Sequence, residues 1–343
     1  MYNCLDVCPR LEKVTIHQCS SHACGTEALR CLPKLQFLEI HVLCNSFAED
    51  VQVDAFCFPE QIDTLVLCLQ APAVDLPKLC NSLTVLRSLA CLHLCQHGVG
   101  GERKLSLSLL QLRSLESLHL QGFRFAEEWA SHFSCLTKLT LLSFAGLYDP
   151  VPLHELASLP ALQTLHLAAD SALYALVHGV IGLHLDNLPE LPSTLRELRV
   201  IGLTWERNMS SLRGLANLRV CMLHGAGPVC LPDHMPHLHT LVLDCSDDVL
   251  EDHLTGFTAL RLLSLRDCWK VEVPGAFHQL AALPHLTCID VAGSLPGNQL
   301  DWSAYEGLPL HGGVTSSLPT YDSGSWSYRV HEGMIEYLEV QTG

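Results

Sequence analysis

The 343-residue chain is 48% hydrophobic and only 16% charged, and its 36 Asp and Glu against 20 Lys and Arg give a formal net charge of −16. That balance supplies no basic stripe to displace counterions, so nucleic acid is not an expected partner, and it disfavours an anionic membrane surface. No uncharged apolar run of about 18 residues occurs, so no membrane insertion is expected.

An apolar triplet of the form L-x-x-L-x-L recurs along the chain, starting at Leu11, Leu35, Ile62, Leu89, Leu115, Leu139, Leu162, Val180, Leu195, Leu218, Leu238, Leu260 and Leu286. Most starts are about 20–27 residues apart. Fuller units extend the pattern, as in Leu83, Leu86, Leu89, Leu92 and Leu94, or Leu156, Leu159, Leu162, Leu165 and Leu167. A spacing of three places residues on one face of a helical turn, and a spacing of two places them on one face of a strand. Each unit therefore reads as a turn feeding a short strand. The predicted strands run from 14–16 in the first unit to 289–291 in the last, including 183–185, and they pair in parallel. One unit cannot bury its apolar edge alone, so neighbours must stack.

Taken in chain order, Leu5, Cys8, Leu11, Val14 and Ile16 already form a repeat, so the chain opens in mid-pattern. Either the N-terminus is truncated or a partner covers that end. Val180 and Leu195 are too close for a complete unit, and Pro189 and Pro192 between them disfavour a helix. A short repeat with a change of pitch is expected there. After Val291 the pattern stops. Residues 293–325 are rich in Gly, Ser and Pro. Ser325–Val330 and Met334–Val340 then read as strands around a turn at His331-Glu332-Gly333. A C-terminal cap over 293–343, a loop followed by a β-hairpin, is one reading; a disordered tail is the other.

Over roughly residues 5–292 the chain resembles the leucine-rich-repeat superfamily. The resemblance implies an α/β solenoid, a horseshoe of about 13 repeats over 1–292. Its parallel sheet would be concave, with short helices or turns on the convex side. It also implies a protein partner rather than chemistry of the chain's own. The sequence departs from the family where many members carry an Asn three residues after the second strand leucine. Here that column includes Cys19, His97, Asp170, Ala226 and Cys268, and no asparagine. Irregular turns are expected to follow. Cys19 and Cys268 are similar to the cysteine-containing repeats of F-box adaptor proteins, which implies an alternative role in substrate recognition for ubiquitin ligation. The superfamily also leaves room for a cytoskeletal or ciliary scaffold.

The 17 cysteines are odd in number, and Met1–Arg10 lacks the basic and apolar regions of a secretory signal. A reducing, cytoplasmic compartment with structural thiols is expected. No phosphate-binding loop, dinucleotide fingerprint, zincin pair or nucleophile elbow is present. The chain is therefore read as no enzyme, with no cofactor. Metal-ligand types meet in one place: Cys91, His93 and Cys95 share a strand face with Cys68 and His119 on neighbouring strands. The competing reading is a pair of core-like thiols beside a surface histidine, because zinc motifs favour turns and C-x-x-C pairs.

Strand leucines point inward, so the residues alternating with them face the open side of the sheet. Seven histidines fall in the two columns that this rule defines. The expected partner surface comprises Glu39, His41, His93, His119, His166, His184, Arg199, His224, Asp244, Arg266 and Asp290. Histidine suits an interface because it stacks, donates and accepts.

Overall fold

Each repeat opens with a tight turn that its leucine spacing requires. The amide of the first triplet residue bonds the carbonyl three residues earlier, as in Leu35 N to Leu32 O, Leu115 N to Leu112 O and Leu260 N to Phe257 O. This bond recurs at all twelve described turns from Leu11 to Leu286, at 3.0–3.5 Å. The computed structural model describes residues 8–19, 26–43, 58–70, 75–96, 104–123, 127–147, 153–169, 191–201, 212, 214–224, 234–244, 256–265, 280 and 282–290.

Twelve strands follow these turns: β1 (Lys13–Cys19), β2 (Phe37–Leu43), β3 (Thr64–Gln70), β4 (Cys91–Gln96), β5 (Ser117–Gln121), β6 (Leu141–Leu147), β7 (Thr164–Ala169), β8 (Glu197–Ile201), β9 (Val220–His224), β10 (Thr240–Asp244), β11 (Leu262–Ser264) and β12 (Cys288–Asp290). They form one open sheet in sequence order, and every pairing is parallel. A parallel pair needs a crossover, and the segments between strands supply it.

The sheet is stitched at one edge by a recurring branched bond. The carbonyl just before each strand accepts two consecutive amides from the next repeat. Gln36 and Phe37 donate to Glu12 O, Asp63 and Thr64 to Gln36 O, and the series runs on to Thr287 and Cys288 on Arg261 O, all at 2.8–3.1 Å. Both lone pairs of each carbonyl are thereby engaged. Thr140 and Thr287 hydroxyls donate to Glu116 O and Arg261 O as well.

Thirteen strands are expected from the sequence, and twelve lie among the described residues. β7 pairs directly with β8, with Thr164 opposite Glu197, and Arg196 and Glu197 both donate to Gln163 O. The expected strand at 183–185 and the Val180 triplet lie outside the described residues.

Outside the sheet, connections are short. α1 (Leu76–Leu83) starts where Asp75 Oδ1 accepts the Lys78 amide at 3.0 Å, with Pro in its first turn. It buries Leu76, Leu79, Cys80 and Leu83. Short 3-10 segments occupy Thr26–Cys31, Leu107–Gln111, Glu127–Cys135 and Leu153–Ser158. Trp129 anchors the third: its Nε1 donates to Leu105 O at 3.0 Å, and its ring meets Phe133 edge-on at 6.0 Å. One leucine-dominated core runs from Leu29 to Ile289 between the sheet and these segments. The expected N-terminal opening at Leu5 and the C-terminal cap at 293–343 lie outside the described residues.

Gly122 leaves β5 at φ +76°, and a Cβ there would stand 2.2 Å from the Gln96 carbonyl oxygen. Its amide donates to Ala145 O at 2.9 Å, so the turn is held from both neighbouring repeats. Gly122→Ala should therefore destabilise the chain by more than about 1 kcal/mol. Gly214, with nothing within 4 Å of an added Cβ, is the control. Its Ala variant should shift stability by less than about 1 kcal/mol or raise it. Urea melts compare the two; equal effects would contradict the assignment of the turn.

Candidate functional site

The strands expose one face. In β5 and β9 buried and half-buried residues alternate, and the leucines on the inner face are almost wholly enclosed. The outer face carries three parallel rows rather than two. The central row is continuous in register: Thr15 lies opposite Glu39, then Val66, His93, His119, Ser143, His166, Arg199, Met222, Val242, Ser264 and Asp290. A second row adds His17, His41, Cys68, Cys95, Gln121, Ala145, Ala168, Ile201, His224 and Asp244.

Of the expected partner residues, Glu39, His41, His93, His119, His166, Arg199, His224 and Asp290 sit in described parts of these rows. Asp244 ends β10. His184 and Arg266 lie outside the described residues.

The third row holds residues one before the first strand leucine, and of these sequence reasoning placed only Cys91 on the face. It contains Lys13, Phe37, Cys91, Ser117 and Glu197. The signal was available: strands of five to seven residues, not three, carry the alternation one step further back.

Two polar groupings form. At the N-terminal end, His41 Nε2 and Glu39 Oε1 are 2.8 Å apart, Thr15 Oγ1 donates to Glu39 Oε2 at 3.2 Å, and the His17 and His41 rings lie 4.9 Å apart. Lys13 Nζ sits 4.1 Å above the Phe37 ring. The His93 and His119 rings are 5.4 Å apart, and Ser117 Oγ is 3.0 Å from His119 Nε2.

In mid-sheet, Glu197 receives the Arg199 guanidinium and lies 3.2 Å from His166 Nε2. Arg199 is only 9% exposed, so its charge requires this carboxylate. Charge reversal at Arg199 is therefore not a neutral surface change, because it would place two carboxylates together. Burial pushes the Glu197 carboxyl upward, but the His166 hydrogen bond and the Arg199 and His166 charges together hold it below its ordinary range. His166 Nδ1 is buried without a hydrogen-bond partner among the described residues.

Cys68, Cys91, His93, Cys95 and His119 do share the outer face, but same-face neighbours on one strand lie about 6.6–6.8 Å apart. Among the described residues, no three His, Cys, Asp or Glu side chains are grouped to hold a metal ion.

No family model and no curated protein matches the sequence. Solved structures do match. A leucine-rich-repeat protein of Leptospira interrogans matches at 14% identity with a TM-score of 0.56, covering 90% of this chain and 87% of that one. The fold is a leucine-rich-repeat solenoid. An internalin of Listeria monocytogenes is also similar, at 14% identity and a TM-score of 0.47, with 82% of this chain and 87% of that one covered. Nothing in these comparisons supports the F-box likeness. Cys19 lies in β1 of the solenoid, and Cys268 lies outside the described residues. Among the described residues, no helix of the solenoid is long and apolar enough to cross a membrane.

The Glu197 shift has a sign that can be tested. Its folded-state pKa is depressed, so its stabilisation is complete above the unfolded value, about 4.3, and is lost as pH falls through the lower folded value. Glu197→Gln should lower the urea midpoint at neutral pH, because it leaves Arg199 without a carboxylate. The gap to the natural chain should narrow as pH drops below about 4. A gap independent of pH would contradict the ion pairing.

Proposed function

We propose that this solenoid is a non-enzymatic scaffold that binds a protein partner on its outer sheet face, the concave side in this reading. The observation that carries the reading is the unbroken register of the central row. It lays polar, titratable and aromatic side chains side by side across twelve strands, opposite a continuous leucine core. Such a face is wide, rigid and made of strands, which hold side chains in place better than loops do. His93, His119, His41 and Glu39 are half-buried there, so a partner gains contact area at little cost in side-chain ordering. The net charge of −16 favours a partner with basic or neutral contact surface. Cys80 and Cys221 are packed in the leucine core as structural thiols, in keeping with a reducing, cytoplasmic setting.

Paired charge reversals test the face. His93→Glu with His119→Glu should abolish capture of proteins that the natural chain retains on a column, while circular dichroism and melting stay close to the parent. Arg113→Glu with Lys138→Glu, at exposed turn positions away from the sheet face, should leave capture intact. Loss of capture in the second pair alone would place the partner surface on the turn side.

A further inference from the structure

Cys68 and Cys95 face each other across β3 and β4 as partners in register. Adjacent strands are about 4.8 Å apart, inside the Cα separation of about 4.4–6.8 Å that a disulfide spans. Both side chains point away from the leucine core, with Val66 in a small cluster against which Phe37 packs. They are 5% and 3% exposed. Cys95 has one thiol proton and two acceptors, Gln121 Oε1 at 3.1 Å and the Cys68 sulfur.

The two thiols are not equivalent. The hydrogen bond from Cys95 is the largest influence on Cys68 and brings it down to about 7, against burial that pushes it up. His41 lowers it further and Glu39 raises it. Cys95 is driven the other way by the same hydrogen bond and by burial. The pair thus holds a thiolate beside a thiol near neutral pH. Buried thiols elsewhere lack this: burial pushes Cys80 up to about 11 and Cys221 up to about 12.

We propose that Cys68 and Cys95 form a dithiol on the sheet face that hydrogen peroxide oxidises reversibly to a disulfide. The Cys68 thiolate attacks one peroxide oxygen. The O–O bond breaks, giving a sulfenic acid on Cys68 and hydroxide, which takes up a proton to become water. Cys95 then loses its proton and attacks the Cys68 sulfur. The S–S bond forms, the S–O bond breaks, and the hydroxyl leaves with a proton as a second water. Two thiols are oxidised and one peroxide is reduced to two waters. Thiolate attack by a reductant on either sulfur restores the two thiols.

The test uses the full chain, reduced and desalted, then exposed to hydrogen peroxide. Remaining thiols are blocked with N-ethylmaleimide in urea, and peptides are mapped by mass spectrometry without reductant. A peptide carrying Cys68 joined to one carrying Cys95 is expected, and dithiothreitol should separate them. Both should be lost from the thiol pool on the order of tenfold faster than Cys80 and Cys221. In Cys95→Ser, dimedone should trap a sulfenic acid at Cys68. Recovery of Cys68 and Cys95 as maleimide adducts while the exposed Cys8 and Cys31 are oxidised would overturn the proposal. So would a disulfide joining Cys68 to any other cysteine.

Discussion

One main-chain carbonyl in each repeat, just ahead of the strand, accepts two amides from the repeat that follows. Glu12, Gln36, Asp63, Ala90, Glu116, Thr140, Gln163, Arg196, Arg219, His239 and Arg261 each do so. The bond sets the phase between neighbours. Because side chains alternate along a strand, a slip of one residue would turn every leucine outward. With the phase fixed, Leu38, Leu65, Leu92, Leu118 and the later strand leucines stack into one core, and the residues between them stack into rows on the other face. The i to i+3 turn before each strand sets up this geometry, since it presents the branching carbonyl and the two amides at the same edge in each unit.

The outer face follows from the same constraint. A row in register brings chemically related side chains within contact distance of one another without any loop to arrange them. Glu197 meets Arg199 along one strand and His166 across to the next, and Cys68 meets Cys95 only because β3 and β4 are aligned there. A solenoid also tolerates such groupings cheaply. Each is supported by two neighbouring repeats, and a change in one unit is felt mainly by the units beside it.

Much of this was legible in the sequence. Periodicity alone locates twelve strands and identifies which leucines are buried, because the switch from spacing three to spacing two has few other physical meanings. It fails at Glu197. The triplet marks the strand by its leucines, so a polar residue one step earlier escapes notice although it shares the face with Arg199. The Cys68–Cys95 and His93–His119 neighbourhoods could both be read from equal triplet positions in adjacent repeats, whereas the hydrogen bond from Cys95 to Gln121 depends on side-chain geometry that the spacing does not encode. The absent asparagine column leaves the descending turns to other devices, and at Gly122 the chain uses a positive φ and an amide bond to Ala145.

Amide hydrogen exchange followed by NMR tests the stitching most directly, at the junction of β7 with β8. If the branched bond joins β7 to β8 without an intervening strand, the amides of Arg196 and Glu197 exchange as slowly as those of Gln163 and Thr164, and cross-strand contacts link Leu165 to Leu198. Rapid exchange at Arg196 and Glu197, with protected amides at 183–185 and contacts from that segment to both neighbours, would contradict the twelve-strand sheet and the register on which both outer-face groupings rest.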